Sequence, residues 1–588
     1  MMNNNLFWKI GLIESVEENL ITFSVNFSDT KDYLYDGKLL KINGVNDFVY
    51  SKIDIDSFVL MKIFKITSAT YNYSGLDPNS LGNLDKCMFF ARPLGILKDN
   101  TFYSGILKLP MVGEKIYGVT DDILNKFFNS VSDHLISLGS VNNYPGVVPK
   151  LNLSKILTSH LAILGNTGSG KSTTLRVLLD KINKIKNHLN SNLDIFVFDV
   201  HGDYGDLPFS ENINIKNYHI PLENLKIDDW CAALLPSEKT QKPFLIRAIN
   251  VASFIRSNRE NIYLILIKMA LEDSTQENFS SLKRSVLKWC RKLNGVLDDE
   301  TVDKIEKWKL NYGNDNDNLP ILKSVKESLD KEKYKTINDI ISEDNNESFT
   351  LDDLEEAFDI VFGEEEVQGN RKVRNNSETM ISRFRNLKNK YGIKNGILNA
   401  KNGQKLVLDK NIHNGSEIIH ILNLTSLDDD ALRLVSNYFS RQLFEYNLNN
   451  YDISNRNKMP FNYLYFDEAH RYIMESDEDD MTIFDRIARE GRKFNIYIGV
   501  ISQIPSELSR IILSQVGSFF IHRIQNSVDL EYIRKNVPSV SYDMVSRLPV
   551  LLPGSALLSG NSFEIPFEIN IDPNGNDKSS STLSPIKN

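Results

Sequence analysis

Short stretches of alternating apolar and polar residues open the chain: LITFSVNF at Leu20–Phe27, FVYSKIDI at Phe48–Ile55 and FVLMKIFKI at Phe58–Ile66, broken by Gly, Asp and Asn. A period of two in β-branched and aromatic residues predicts strands, and several short strands so spaced predict a small antiparallel barrel over residues 1–118. A further strand pair is predicted at Met88–Ile96 and Phe102–Leu107, with Lys98-Asp99-Asn100 as the turn. Residues 119–153 read as a link, because Gly139, Asn142, Asn143, Pro145 and Gly146 punctuate them. From Ser159 strand-like and helix-like segments alternate, which predicts an α/β core over 154–221 and 409–571. Between them, in segments such as FLIRAINVASFIRS and SETMISRFRNLKNKYG, apolar residues recur at three and four. That period predicts a helical insertion over 222–408, with breaks at Asn314–Asn318 and Asp344–Glu347. The end of the chain, 572–588, is polar with Pro, Gly and Ser, and is expected to be disordered.

Two strand ends carry the chemistry. The run LAILGNTGSGKSTTL, Leu161–Leu175, is an apolar strand, a glycine-rich turn and the start of a helix. In the pattern G-x-x-x-x-G-K-[ST], backbone N–H groups converge on phosphates, the lysine reaches the terminal ones and the hydroxyl binds Mg²⁺. Here the cradle is Gly165, Asn166, Thr167, Gly168, Ser169, Gly170, Lys171, Ser172 and Thr173. The following helix adds its positive N-terminal end to the same anion site. The second strand, Tyr463–Phe466, ends in Asp467-Glu468. An ATPase needs one acid to hold the metal shell and another to orient or deprotonate the attacking water, so Asp467 is the metal candidate and Glu468 the base.

Other strand ends add candidates. Ile195–Phe198 runs into Asp199, His201, Gly202, Asp203 and Tyr204, where the two aspartates either shape the magnesium site or fix the loop by Asx-type turns. The strand in IYIGVISQIPSEL ends at Gln503, whose amide can donate to and accept from the attacking water or γ-phosphate. The cluster Arg486, Arg489, Arg492 and Lys493 is too dense for one helix face without a partner. Arg489 or Arg492, supplied across a subunit boundary, would stabilise transition-state charge, although an interface salt bridge reads equally from the sequence.

Composition narrows the class without changing the site. The 588 residues are 41% apolar and 25% charged, an ordinary soluble globular protein of two to four domains. No long apolar segment or N-terminal signal pattern occurs, so a cytoplasmic protein with no membrane partner is expected. Cys87, Cys231 and Cys290 lie far apart, which argues against a zinc site or disulfides. A net charge of −9 argues against nucleic-acid binding over the whole surface but leaves room for a basic pore. The acidic run Glu475–Asp480 reads as a solvated loop. Arg371, Lys372, Arg374, Arg383, Arg385, Lys388 and Lys390 read as a solvated helix face or a nucleic-acid contact.

In the order HLAILGNTGSGKST, FDVHGDYGDL, LNLTSLDDDALRLVSNYF, YFDEAHRYI, IAREGRKFNIYIGVISQIPSEL and LSQVGSFFIHRI, the chain resembles the HerA-type ATPases of the HerA/FtsK branch of P-loop motors. The resemblance implies an α/β fold: a RecA-like P-loop ATPase core with an N-terminal HAS-like β-barrel and a helical insertion. It implies ATP and Mg²⁺ as cofactors, a homo-hexamer, and translocation of double-stranded DNA. It also implies a partner effector, a NurA-like or other nuclease or a sirtuin-type NADase, with bacterial antiphage defence as a setting. On the matching positions Lys171 and Ser172 take phosphate and Mg²⁺, Asp467 the metal, Glu468 the water, Gln503 the sensor, and Arg489 and Arg492 the inter-subunit arginine. The chain departs from many relatives in carrying Ser159 rather than arginine before His160. Asp467-Glu468-Ala469-His470 also suggests a DEAH-class RNA helicase, but the distance from the P-loop and the lack of a second motor domain argue against it. His470 then reads as a structural or coupling residue. An alternative to the motor is an ATP-binding ring scaffold that assembles and regulates an effector.

Overall fold

The computed structural model describes residues 8–26, 33–35, 38–40, 44–68, 86–99, 101–106, 108–128, 135–189, 192–273, 279–293, 295–309, 319–328, 336–341, 348–392, 396–399, 404–406, 417–452, 459–473 and 481–573. The breaks at Asn314–Asn318 and Asp344–Glu347, the acidic run Glu475–Asp480 and the tail beyond Pro573 lie outside the described residues. Contacts divide the chain into two units, Met1–Ile213 with Asp409–Thr425 and Ser440–Asn588, and Asn214–Leu408 with Ser426–Phe439.

In the first unit, strands Leu20–Asn26, Lys9–Glu17, Lys115–Gly118, Phe48–Asp54, Ser57–Ser68 and Lys86–Lys98 pair in that order, all antiparallel, and Leu20–Asn26 pairs back onto Lys86–Lys98. The result is a closed six-stranded barrel, with Thr101–Tyr103 hanging on Lys86–Lys98. Ile21, Phe23, Val59, Met61, Ile63 and Phe89 fill it. Alternation is blurred in FVLMKIF because this strand is covered on both faces: Phe58 and Leu60 point outward into a second cluster with Phe48, Val119, Phe127, Phe128 and Phe567. Closure leaves a barrel without free edges.

The same unit holds a ten-stranded sheet in the order Gly139–Val141, Phe567–Ile571, Ser555–Gly560, Val516–Ile521, His160–Leu164, Ile496–Ser502, Phe461–Phe466, Leu193–Asp199, Ile419–Asn423, Glu211–Asn214. The six strands from Val516–Ile521 to Ile419–Asn423 are parallel, so their carboxyl ends share one edge. This is the expected α/β P-loop core. Residues 119–153, read as a link, are more than that. They hold helix Asp121–Phe128, and Gly139–Val141 is a strand of the main sheet, so close to its neighbour that a Cβ on Gly139 would lie 1.8 Å from Asn570 O.

The second unit is mainly helical, including Lys242–Ala252, Ile255–Glu272, Phe279–Cys290, Leu351–Val367 and Glu378–Tyr391. It begins earlier than the 222 expected and includes Ser426–Phe439. Thr350 and Asp353 form a capping box at the start of Leu351–Val367, and Phe358 packs edge-on against Phe384, ring centres 5.3 Å apart. Much of the basic stretch is committed to partners within this unit. Arg374 donates to Asp359 and Glu366 at 2.7 and 2.8 Å, Arg385 to Glu355 at 3.0 Å, Lys390 to Asp428 at 2.8 Å, and Arg383 to the Leu234 carbonyl at 3.0 Å. Among the described residues no helix is long and apolar enough to cross a membrane.

Two buried features of the first unit set its stability. Lys62 of the barrel lies 3.9 Å from Glu568, which accepts two bonds from Arg547 at 2.8 and 2.9 Å and one from Asn142 at 3.3 Å. Burial acts to raise the Glu568 carboxyl, but the Arg547 bonds, with Lys62 and Asn142, overcome it and hold the group below the usual range. In the sheet, His160 and His522 are neutral by construction. His160 Nε2 donates to Ala488 O and Nδ1 accepts from Ile498 N–H, both at 3.0 Å. His522 Nδ1 donates to Ser555 O and Nε2 accepts from the Thr174 hydroxyl, both at 2.9 Å. Burial pushes both rings down to about 4.

Glu568→Ala strands Lys62 and Arg547 without their carboxylate and is expected to destabilise by about 3–5 kcal/mol, whereas Lys62→Met is expected to be within about 1 kcal/mol of neutral. Denaturant midpoints of the two variants check this, and equal losses would contradict it. The unfolded chain protonates His160 and His522 near 6.5 and the fold only near 4, so their contribution is complete above the first value. It is lost as pH falls between the two, at about 1.4 kcal/mol per pH unit for each ring. His522→Gln should flatten the fall in urea midpoint between about pH 7 and about pH 5, and an unchanged slope would contradict the assignment.

Candidate active site

The P-loop strand His160–Leu164 lies between Val516–Ile521 and Ile496–Ser502 and stops in register with Ser502. The chain then turns over the sheet edge. Gly165 N–H donates to Ser502 O at 3.2 Å and Asn166 N–H to Arg523 O at 2.9 Å, which ties the loop to both flanking strands. Gly168 and Gly170 have φ of 70° and 112°, a region closed to most side chains. A Cβ on Gly165 would lie 2.6 Å from His522 Cβ, so small residues are required by packing as well as by conformation. Helix Lys171–Lys184 starts directly from the loop, with Gly170 as its N-cap and no side-chain bond there, so the donors of its first turn suit an anion. Lys171 Nζ folds back to Asn166 O at 3.1 Å.

The acidic strand Phe461–Phe466 is separated from the P-loop strand only by Ile496–Ser502. Asp467 and Glu468 are 3% and 4% exposed. Glu468 sits at φ 47°, a left-handed conformation in a non-glycine residue that costs on the order of 1 kcal/mol or more. Its carboxylate accepts from Gln503 Nε2, and Gln503 Oε1 accepts from the Thr167 hydroxyl, so one amide links the phosphate loop to the candidate base. His470 Nδ1 and His201 Nε2 stand 3.4 and 3.7 Å from the same carboxylate.

Asp199 and Asp203 part company. Asp199 accepts N–H bonds from Gly202, Asp203 and Tyr204 at 2.7, 3.0 and 3.1 Å, fixing the loop. Asp203 projects forward and accepts from the Ser172 hydroxyl at 2.8 Å. Arg176, one turn beyond Ser172, clamps this loop from below by donating to Asp203 O and Asp206 Oδ1, each at 2.6 Å.

Electrostatically the site is short of positive charge. Burial, followed by the charges of Glu468, Asp199 and Asp203, pushes the Asp467 carboxyl well above the usual range, opposed by Lys171. Burial pushes the Lys171 ammonium down, while Glu468, Asp467 and Asp203 pull it up. Asp467 Oδ2 is buried without a hydrogen-bond partner among the described residues. Ser172, Asp467 and Asp203 are an all-oxygen set, the donor type that magnesium takes when phosphates and water complete its shell. No cluster of three His, Cys, Asp or Glu able to hold a metal alone occurs among the described residues, and such a shell does not require one.

Thr167, Gly168, Gly170, Lys171, Ser172, Thr173, Asp467, Glu468 and Gln503 all line one cavity of about 730 Å³, within the size range of ligand pockets. Arg489 and Arg492 are not among its lining. They are exposed and line a separate, open cavity of about 670 Å³ with Glu490, Lys493 and Phe494. Arg489 is in the last turn of helix Ile483–Glu490, which Thr482 and Asp485 cap reciprocally, and Arg492 comes just after it. Arg486 lies over the Phe444 ring at 4.7 Å and Lys493 over Tyr451 at 5.4 Å, so aromatic faces take part of the basic cluster. Sequence reasoning gave no role to Arg176, His522 or Pro553-Gly554. Arg176 was signalled by its i+4 spacing from Ser172, and His522 by its place at the tip of the apolar run VGSFFI.

Residues 136–348 match the family model described as Helicase HerA, central domain. A probable helicase of Methanocaldococcus jannaschii is 25% identical over 92% of this chain and 88% of its own length. A DNA double-strand break repair helicase HerA of Pyrococcus furiosus is 24% identical, covering 84% of this chain and 78% of its own. Another of that name from Sulfurisphaera tokodaii is 26% identical, covering 79% and 74%. Among solved structures, VirB4 of Thermoanaerobacter pseudethanolicus superposes with a TM-score of 0.38 at 16% identity, covering 76% of this chain and 97% of that one. With a match to the HerA central domain, relatives named HerA along most of its length and an intact P-loop core, the chain is an ATP-hydrolysing enzyme similar to the HerA helicases.

Proposed function

We propose that the chain is one subunit of a hexameric motor that hydrolyses ATP to translocate or unwind double-stranded DNA in the cytoplasm, together with a partner nuclease or NADase. The setting proposed is bacterial antiphage defence or DNA-end processing. The observation that carries the reading is the meeting of Lys171, Ser172, Asp467, Glu468 and Gln503 in one cavity. The match to HerA, named in relatives as a double-strand break repair helicase, supports the choice of DNA as cargo.

In this reading the loop N–H groups and Lys171 hold the triphosphate, and Ser172 and Asp467 would hold Mg²⁺, which would neutralise charge on the phosphates. Glu468 takes the proton of the attacking water. Gln503, already bonded to Glu468 and Thr167, fixes the angle of that carboxylate and registers the terminal phosphate. Arg489 or Arg492, exposed on a different face, acts on the nucleotide of a neighbouring subunit.

Turnover by the purified chain with and without linear duplex DNA tests the proposal. Duplex should raise the rate, and Glu468→Gln should lower it by about 10²–10⁴-fold while ATP still binds. A rate indifferent to DNA would contradict the motor and leave the scaffold that regulates an effector.

A further inference from the structure

The P-loop strand has two ends, and the site described above uses only the carboxyl end. Its first residue, His160, is 5% exposed and sits against the segment that carries Arg489 and Arg492. His160 Nε2 donates at 3.0 Å to the carbonyl of Ala488, the residue immediately before Arg489, while Nδ1 accepts from Ile498 N–H at 3.0 Å. The Arg492 charge reaches the same ring, where it adds to burial in disfavouring protonation, against the pull of the Ala488 bond. Beyond Ala488 the chain is closely packed, since a Cβ on Gly491 would collide with Ile496 O. Asn447, fully buried, donates to Phe494 O at 2.7 Å and accepts from Asn462 at 2.8 Å. The turn Gly491–Phe494 is therefore held at one end by Asn447 and at the other, through Ala488, by His160. Arg489 and Arg492 stand exposed on this fixed base.

Ala488 is one of the last four residues of helix Ile483–Glu490, whose carbonyls have no partner within the helix. His160 supplies that partner from the P-loop strand, and a neutral imidazole suits the place because it donates on one nitrogen and accepts on the other. At about 3.3 Å per residue the strand sets His160 roughly 13 Å from Leu164, where the phosphate loop begins. We propose that His160 is a positioning residue, whose bond to Ala488 O sets the placement of Arg489 and Arg492 toward the nucleotide of a neighbouring subunit. The proposal rests on the reading in which one of these arginines acts across the subunit boundary. It adds that the strand bearing a subunit's own phosphate loop also aims the arginines which that subunit lends.

Two substitutions separate this bond from general packing. A glutamine amide takes the place of Nε2 and an asparagine amide that of Nδ1, so His160→Gln keeps the donation to Ala488 O and His160→Asn keeps only the acceptance from Ile498. Turnover by the full chain is expected to fall about tenfold in His160→Asn and by less than about twofold in His160→Gln. Mg²⁺-ATP affinity, read by calorimetry in the Glu468→Gln background, should be unchanged in both. Mixed rings then locate the defect. Glu468→Gln subunits bind ATP without turning it over and keep His160 and both arginines, so in excess they should return turnover per His160→Asn chain to within about twofold of the unsubstituted chain. Arg489→Ala/Arg492→Ala, mixed in the same way, is the control. Restoration of the arginine variant but not of His160→Asn, or equal turnover in the Gln and Asn variants, would overturn the positioning role while the shared arginine stands. Restoration of neither would overturn both.

Discussion

One buried ammonium among several buried carboxylates is the constraint on which the rest depends. Lys171 faces Asp467, Glu468 and the half-buried Asp203 on the wall of one cavity, where burial weakens screening by water, and Asp467 keeps an oxygen without a partner among the described residues. Such an arrangement is unfavourable by itself, because like charges at short range in a low dielectric repel strongly. In the proposed function a divalent cation would answer the carboxylates, and a phosphate chain would answer Lys171 and the loop N–H groups.

The sheet makes this convergence possible. Because Phe198 is in register with Phe466, the loops after both strands leave side by side, and Asp199 and Asp467 begin at the same height. Ile496–Ser502 puts Gln503 between them and the P-loop. The P-loop strand is thus bordered on one side by the groups proposed to act on the terminal phosphate. On the other it is bordered by strands that continue, antiparallel, to Phe567–Ile571. That last strand also carries Phe567 and Glu568, which meet the barrel's Phe58 cluster and Lys62, so the barrel and the nucleotide cavity share one structural element.

What the sequence reveals depends on how local the signal is. The P-loop and Asp467-Glu468 are legible because a short segment holds strand, turn and reactive residue at fixed spacing. The barrel is legible from its alternation, which weakens where Phe58–Ile63 is covered on both faces. Asp199 and Asp203 are not separable by sequence, since both flank the same turn and only the Ser172 hydroxyl distinguishes them. Gly139–Val141 and the cavity flank at Pro553–Gly554 escape notice for another reason. Each gains its meaning from a residue hundreds of positions away, Asn570 in one case and Ser169 in the other. The basic stretch around Arg374 reads as a possible nucleic-acid contact until the folded chain supplies Asp359 and Glu366.

The central claim is that Lys171 and Asp467, on separate strand ends, act on one nucleotide. A double-mutant cycle on Mg²⁺-ATP affinity with Lys171→Ala and Asp467→Asn tests it directly. Groups that share the bound nucleotide should couple by about 1 kcal/mol or more, so that the second substitution adds much less than it does alone. Additive losses within about 0.5 kcal/mol would mean that the two residues act independently, and would contradict the account.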